Sequence, residues 1–206
     1  MKLYEFERAP NPRRVRFFIA EKGIDLASIE RIQIDIGGGE NRAAEFRQMN
    51  PMGTVPVLEL DDGTALSETM AICRYFEGNH PEPALLGQSV IEQATIEMWN
   101  RRMEFNLLLP VAMAFRHTTG HFSDRENVFP DYGSDCGQSA QRMFDFLNDH
   151  LADNDYIAGR QFSVADITAV VSIDFARVIK MRLDPDKHAR LIDWHERISA
   201  RPAASV

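Results

Sequence analysis

The sequence predicts two domains of different class: an α/β domain with element order βαβαββα over residues 1–80, and an all-helical domain over residues 88–206. Three observations predict this. Strand-period and helix-period apolar patterns alternate through residues 1–80, whereas from Gln88 onward only the helical period persists. Between them, His80-Pro81-Glu82-Pro83 is a stiff polar break, which makes residues 81–87 a linker.

Leu3, Tyr4 and Phe6 open with a brief strand, and Pro10 and Pro12 force the chain to turn. Pro12 is tolerated in a first helical turn, where its missing N–H would have had no partner, so Asn11 is the expected N-cap. Val15, Phe18 and Ile19 continue at helical spacing until Gly23. Ile32, Ile34 and Ile36 alternate with polar residues in a strand over 29–36, completing a crossover unit whose strands should be parallel. Gly37-Gly38-Gly39 has no lysine placed for a phosphate and reads as a loop. After a short helix over 43–49, the stretch Asn50 to Thr69 holds a proline-marked turn, a strand with Val57, Leu58 and Leu60, and the hairpin dipeptide Asp62-Gly63. A second strand follows, and Ser67 is the expected N-cap of a helix that starts at Glu68 and ends near Gly78.

In the helical half, Ile91, Met98, Phe105 and Ala112 recur at heptad spacing, which predicts one long amphipathic helix bent by Pro110. The polar segment from Arg116 to Cys136 reads as a long loop, and a helix is expected from about Gln138 to Leu151. Ile167, Val170, Val171, Ile173 and Phe175 mark a helix that is apolar nearly all round and therefore central. Ser163 and Asp166 precede it in capping-box relation. Leu191, Trp194 and Ile198 define a last helix that stops before Arg201-Pro202.

The 23 Lys and Arg against 31 Asp and Glu give a formal charge of -8, which argues against nucleic acid as a partner. Cys73 and Cys136 form no CxxC pair, so neither a metal site nor a disulfide framework is indicated, and a reducing, cytoplasmic location is expected. No apolar run reaches the ~20 residues of a membrane span, so no membrane partner is expected.

Glu68 and Thr69 join a carboxylate to the N–H groups and hydroxyl of a first helical turn, a set suited to the ammonium and carboxylate of an α-amino-acid end. Val55 precedes a proline that cannot donate, which leaves its own backbone free to pair with an extended peptide. The plainer alternative is that Glu68 only complements the helix dipole and Val55 is core. These residues resemble a family. Asn50, Pro51, Gly53, Val55 and Pro56 form an NPxGxVP turn, Glu68-Thr69 stands as its (E/Q)(S/T) pair, and Ser163 with Asp166 forms an SxxD box, as in the soluble glutathione transferases. The resemblance implies a thioredoxin-like N-terminal domain, a cis Pro56 and a homodimer. It implies glutathione as co-substrate, held by Thr54, Val55, Pro56, Glu68 and Thr69, with Asn41 or Arg42 meeting its glycyl carboxylate.

The stretch APNPRRVRFFIAEKGID is similar to the atypical yeast and bacterial transferases that lack a catalytic Tyr, Ser or Cys. Asn11 stands at the catalytic position. It cannot act as a base, but its amide and the backbone N–H groups of the helix start can donate to a thiolate. Lowering a thiol from about 8.5 by roughly two units needs about 2.7 kcal/mol, within the reach of helix N-termini. His117 is the counterpart of a histidine that positions a water near the sulfur in that group. The plain alternatives are an N-cap for Asn11, solvated charges for Arg13 and Arg14, and a structural helix-end histidine for His117. The expected function is a glutathione transferase acting on a hydrophobic electrophile, with Met113, Phe115 and the loop after Arg116 as walls. The alternatives are a glutathione-dependent disulfide or peroxide reductase and a non-catalytic binding protein.

Overall fold

Alternation along Lys2–Glu5 (β1) buries Leu3 and Glu5 and leaves Lys2 and Tyr4 half-buried. In the computed structural model, which describes Met1 to Val206, β1 lies inside a four-stranded sheet of order β2-β1-β3-β4. Glu30–Gln33 (β2) pairs parallel to β1, Val57–Glu59 (β3) antiparallel to it, and Ala65–Ser67 (β4) antiparallel to β3. The strand expected over 29–36 stops at Gln33 because the chain turns at Asp35. The Asp35 N–H donates to Glu40 Oε2 at 2.7 Å, and its carboxylate accepts the Gly38 N–H at 2.8 Å. That carboxylate fills the concavity of the three-glycine turn, where a nucleotide phosphate would have to sit.

Pleating divides this unit's core into two faces. Ile34, Phe46 and Val57, with Tyr4 and Met49 against them, pack where Ala44–Met49 (α2) covers the sheet. Leu3 and Leu58 point the other way and are fully buried, as are Val15, Phe18 and Ile19 of Pro10–Glu21 (α1) and Ile72 of Thr69–Asn79 (α3). Beneath α1 the Glu5 carboxylate and Arg16 guanidinium form a buried ion pair. The two expected caps move by one or two residues. Ala9 caps α1, so Asn11 lies inside the first turn, and Glu68 caps α3, because Ser67 is taken up by β4. Contacts divide the chain into this unit, Met1–Leu85 with Ser205–Val206, and a helical unit, Leu86–Ala204.

In the helical unit the expected long helix runs without interruption from Val90 to Thr119, and its irregular turn lies just ahead of Pro110. Val90–Met103 (α4) passes through a π-helical stretch, Glu104–Leu108, into Leu109–Thr119 (α5). Pro110 has no N–H for the residue a turn before it, and the widened turn lies directly ahead of it. The heptad row also faces outward: Ile91 is 73%, Met98 43% and Phe105 58% exposed, whereas Trp99, Met103 and Leu107 take the inner face. Periodicity locates a stripe without saying what it faces.

The segment expected as a loop to Cys136 is a loop only over 120–129, since Pro130–His150 (α6) begins well before Gln138. Gly133 and Gly137 weaken the local helical signal, but close packing on α5 reverses that cost. A Cβ on Gly133 would come within 2.8 Å of His117 Cβ. Val164–Phe175 (α7) is the central helix, buried from Val164 through Ile173, and its Ser163–Asp166 capping box is formed. Ala189–Ser199 (α8) closes the unit through buried Leu191, Trp194 and Ile198. No helix is long and apolar enough to cross a membrane.

Candidate functional site

Strand register gathers the candidate residues of the α/β unit at one end of its sheet. Tyr4 pairs with Val57, so the end of β1 that leads to Asn11 runs past Pro56 and Val55. Val57 also pairs with Ser67, so Val55-Pro56 and Glu68-Thr69 leave the β3–β4 pair at that same end. The Val55–Pro56 peptide bond is cis. The N–H and C=O of Val55 have no partner in the chain, so this stretch stays open to an extended ligand. The sheet end presents it rather than a lateral edge, because β3 is paired on both sides.

The start of α1 is poor in donors. Pro10 and Pro12 have no N–H, and the N–H of Arg13 is committed to Ala9 O at 3.4 Å. What remains is Asn11, with an unpartnered backbone N–H and a side-chain amide whose Oδ1 accepts from Arg14 Nη1 at 3.0 Å. Arg14 is only 2% exposed, which corrects its reading as a solvated charge. Tyr4, the tyrosine of β1, donates to Glu59 Oε2 at 2.6 Å. That bond, burial and the neighbouring negative charge push its phenol up to about 12, which removes it as a base for a thiol.

At the start of α3, Glu68 holds φ at +72°, a conformation that costs a side-chain-bearing residue about 1–3 kcal/mol. Its exposed carboxylate has no partner, and the Thr69 hydroxyl, in a residue 6% exposed, has none either. An acceptor and a donor, both unsatisfied, therefore stand side by side at the first turn of the helix.

The turn before Val55 is held from inside. Asn50 Nδ2 donates to Thr54 O at 2.8 Å and to Thr54 Oγ1 at 3.1 Å, and Asn50 Oδ1 accepts from Met52 N–H. Asn41 Nδ2 donates to Gly53 O at 2.7 Å, which leaves Oδ1, a buried acceptor, without a partner. An acceptor repels a carboxylate, so Asn41 supports the turn and its side chain does not suit the glycyl end. Gly53 has φ +62° and the Asn41 carbonyl within 2.8 Å of where a Cβ would lie, so only glycine fits there. The Arg42 guanidinium is turned toward Gly39. The sequence reading missed Arg47. Its side chain is exposed and forms no bond or ion pair, and its Nε lies 3.6 Å from the Cβ position of Gly53. Its place in the last turn of α2, beside the NPxGxVP turn, was the available signal.

On the helical unit, His117 Nδ1 accepts the Phe129 N–H at 3.3 Å, and the ring lies against Phe129 and Tyr132. An accepting Nδ1 makes Nε2 the donor of the neutral ring. Nearby, Phe115 packs on His121, Phe122 and Phe175 in an aromatic cluster at the end of α5. No group of three or more His, Cys, Asp or Glu side chains is gathered as a metal would require.

Comparison with known proteins agrees with this geometry. Residues 9–79 match the family model for the glutathione S-transferase N-terminal domain, and residues 135–202 that for the C-terminal domain. The chain is 35% identical over 205 residues to glutathione S-transferase 2 of Saccharomyces cerevisiae, covering 98% of this chain and 87% of that protein. The crystal structure of Gtt2 from the same yeast superposes with a TM-score of 0.94 at 34% identity, covering 100% of this chain and 99% of that one. A glutathione S-transferase domain-containing protein of Marinobacter aquaeolei VT8 superposes at 0.92 with 41% identity, covering 99% of this chain and all of that one. A probable elongation factor 1-gamma 1 of Arabidopsis thaliana is 34% identical over 187 residues, covering 85% of this chain and 43% of that protein.

Proposed function

Because the chain belongs to the glutathione S-transferase family, we propose that it ionises glutathione at the start of α1 and presents the thiolate to a hydrophobic electrophile. The observation that carries this reading is the register that brings Asn11, Val55 and Glu68-Thr69 to one sheet end, each with unsatisfied hydrogen-bonding groups. Val55 pairs with the cysteinyl backbone of the tripeptide. The Glu68 carboxylate takes its γ-glutamyl ammonium, and the Thr69 hydroxyl and first-turn N–H groups take the carboxylate of that residue. At the other end the unpaired Arg47 meets the glycyl carboxylate, with Arg42 as the second cation of the region.

Thiol activation rests on two donors, the Asn11 backbone N–H and Nδ2, aimed at developing negative charge in place of a base. Within the helical unit, the His117 Nε2–H has the polarity needed to hold a water by its oxygen, the role that the family resemblance gives this residue. The aromatic cluster around Phe115 supplies apolar surface for the second substrate. A cytoplasmic homodimer is proposed, with the outward row Ile91, Met98 and Phe105 in its contact.

Titrating the protein with glutathione while following thiolate absorbance tests the reading. Saturable binding with a thiolate band at neutral pH is expected, followed by consumption of an aromatic electrophile. Failure of the wild type to bind glutathione overturns it. A non-catalytic binding role is the second reading, favoured by the start of α1, which places an asparagine and no Tyr, Ser or Cys there. Binding with neither a shifted thiol nor turnover selects it.

A further inference from the structure

We propose that Arg14 is a positioning residue for thiol ionisation: its guanidinium holds Asn11 Oδ1 and thereby commits the Asn11 Nδ2 group to the sulfur. This rests on the reading that Asn11 activates glutathione. A terminal amide torsion is broad and roughly two-fold, so a free asparagine presents either its oxygen or its NH2 group to a neighbour. The two faces have opposite effects on a thiolate, because the oxygen repels it and the NH2 group donates to it. Arginine has donors only, so the atom facing Arg14 Nη1 at 3.0 Å is the oxygen, and the NH2 group is left facing away.

The geometry suits a lasting hold. Asn11 and Arg14 are three residues apart on α1 and therefore neighbours on one face. Arg14 is 2% exposed and its bond to the half-buried Asn11 is part-buried, and a charge-assisted bond is stronger than one between neutral groups. The orientation matters more here than at an ordinary helix start. With Pro10 and Pro12 lacking N–H groups and the Arg13 N–H committed to Ala9 O, Nδ2 is one of only two uncommitted amide donors in the first turn. An Asn11 amide turned the other way would leave one donor and one repelling acceptor at the sulfur.

The test is the pH titration of bound glutathione by thiolate absorbance in wild type, Arg14→Met, Arg14→Lys, Asn11→Ala and the Asn11→Ala/Arg14→Met double variant. Expected is a rise in thiol pKa of at least about half a unit, roughly threefold in the ionisation constant, for Arg14→Met. Part of it should be recovered in Arg14→Lys, which keeps a donor. The double variant should match Asn11→Ala alone, and the KM for glutathione should stay within about twofold while kcat falls. An unmoved thiol in Arg14→Met overturns the proposal, as does a shift of equal size in the Asn11→Ala background. An unmoved thiol in Asn11→Ala overturns the activation reading itself, whatever Arg14→Met does. Should Arg14→Met fail to fold, wild-type side-chain amide NMR decides. One fixed Asn11 orientation whose Nδ2 protons respond to glutathione supports the assignment, and interconverting orientations or no response overturn it.

Discussion

At the scale of single residues, the site is decided by which polar atoms are left without partners. Arg47 is a free guanidinium beside Gly53, so Arg47→Ala is expected to weaken glutathione binding by about tenfold with the thiol pKa unchanged. Calorimetry with γ-glutamylcysteine, which lacks the glycyl carboxylate in that position, should show no difference between the two proteins. Equal loss for both ligands would remove Arg47 from that end. Glu68 pays for its role in backbone strain at φ +72°. Glu68→Gly should therefore be more stable than Glu68→Ala by about 1 kcal/mol in urea melts, while both lose glutathione affinity. Equal stabilities would mean that the position is unstrained. Motif and residue type singled out Asn11, Val55, Glu68 and Thr69 as candidates, and strand register brings them to one sheet end. Arg14 was misread although a signal existed: it lies four residues before Phe18, on the helix face that is buried. Arg47 had only the weak signal of its place just before the NPxGxVP turn, and its distance to Gly53 is created by the folded turn.

At the scale of elements, α7 is fixed by its cap. Asp166 accepts the Ile157 N–H at 2.9 Å and the Trp194 Nε1–H at 3.2 Å through Oδ1, and the Ser163 N–H at 3.0 Å through Oδ2. Removing the cap hydroxyl in Ser163→Ala should cost about 1 kcal/mol. Asp166→Asn should cost about 2–3 kcal/mol, since an NH2 group then faces donors that it cannot satisfy. Both are read from chemical denaturation. Burial pushes the Asp166 carboxyl up to about 6 despite those hydrogen bonds. The folded state then holds this proton more tightly than the unfolded chain does. From this group, stability is greatest below about pH 4 and falls as pH rises to about 6. The contribution should disappear from the stability-against-pH curve of Asp166→Asn, and an unchanged curve would contradict it. The box was legible because its four residues are local. The start of α6 was not, because Gly133 and Gly137 read as a loop until α5 packs against them.

At the scale of the whole molecule, the outward apolar row on α4 and the π-helical stretch is the feature that a single chain leaves unexplained. Ile91, Met98 and Phe105 are exposed together, which water penalises unless a second surface covers them. Ile91→Glu/Phe105→Glu is expected to sediment at half the mass of the wild type with helical content retained. A wild type that sediments as a monomer, or a double variant that remains dimeric, would exclude this row from the contact.

Local pattern by itself determined the order of strands and helices, the proline break and the Ser163–Asp166 cap, because each depends on neighbours a few positions away. Tertiary structure alone decided which face the long helix's heptad row shows, how far α6 extends, and that Arg14 is buried against Asn11. Each of these depends on what packs across from a residue. A periodic pattern records that a face is apolar, but the surface that meets it comes from elsewhere in the chain or from another copy.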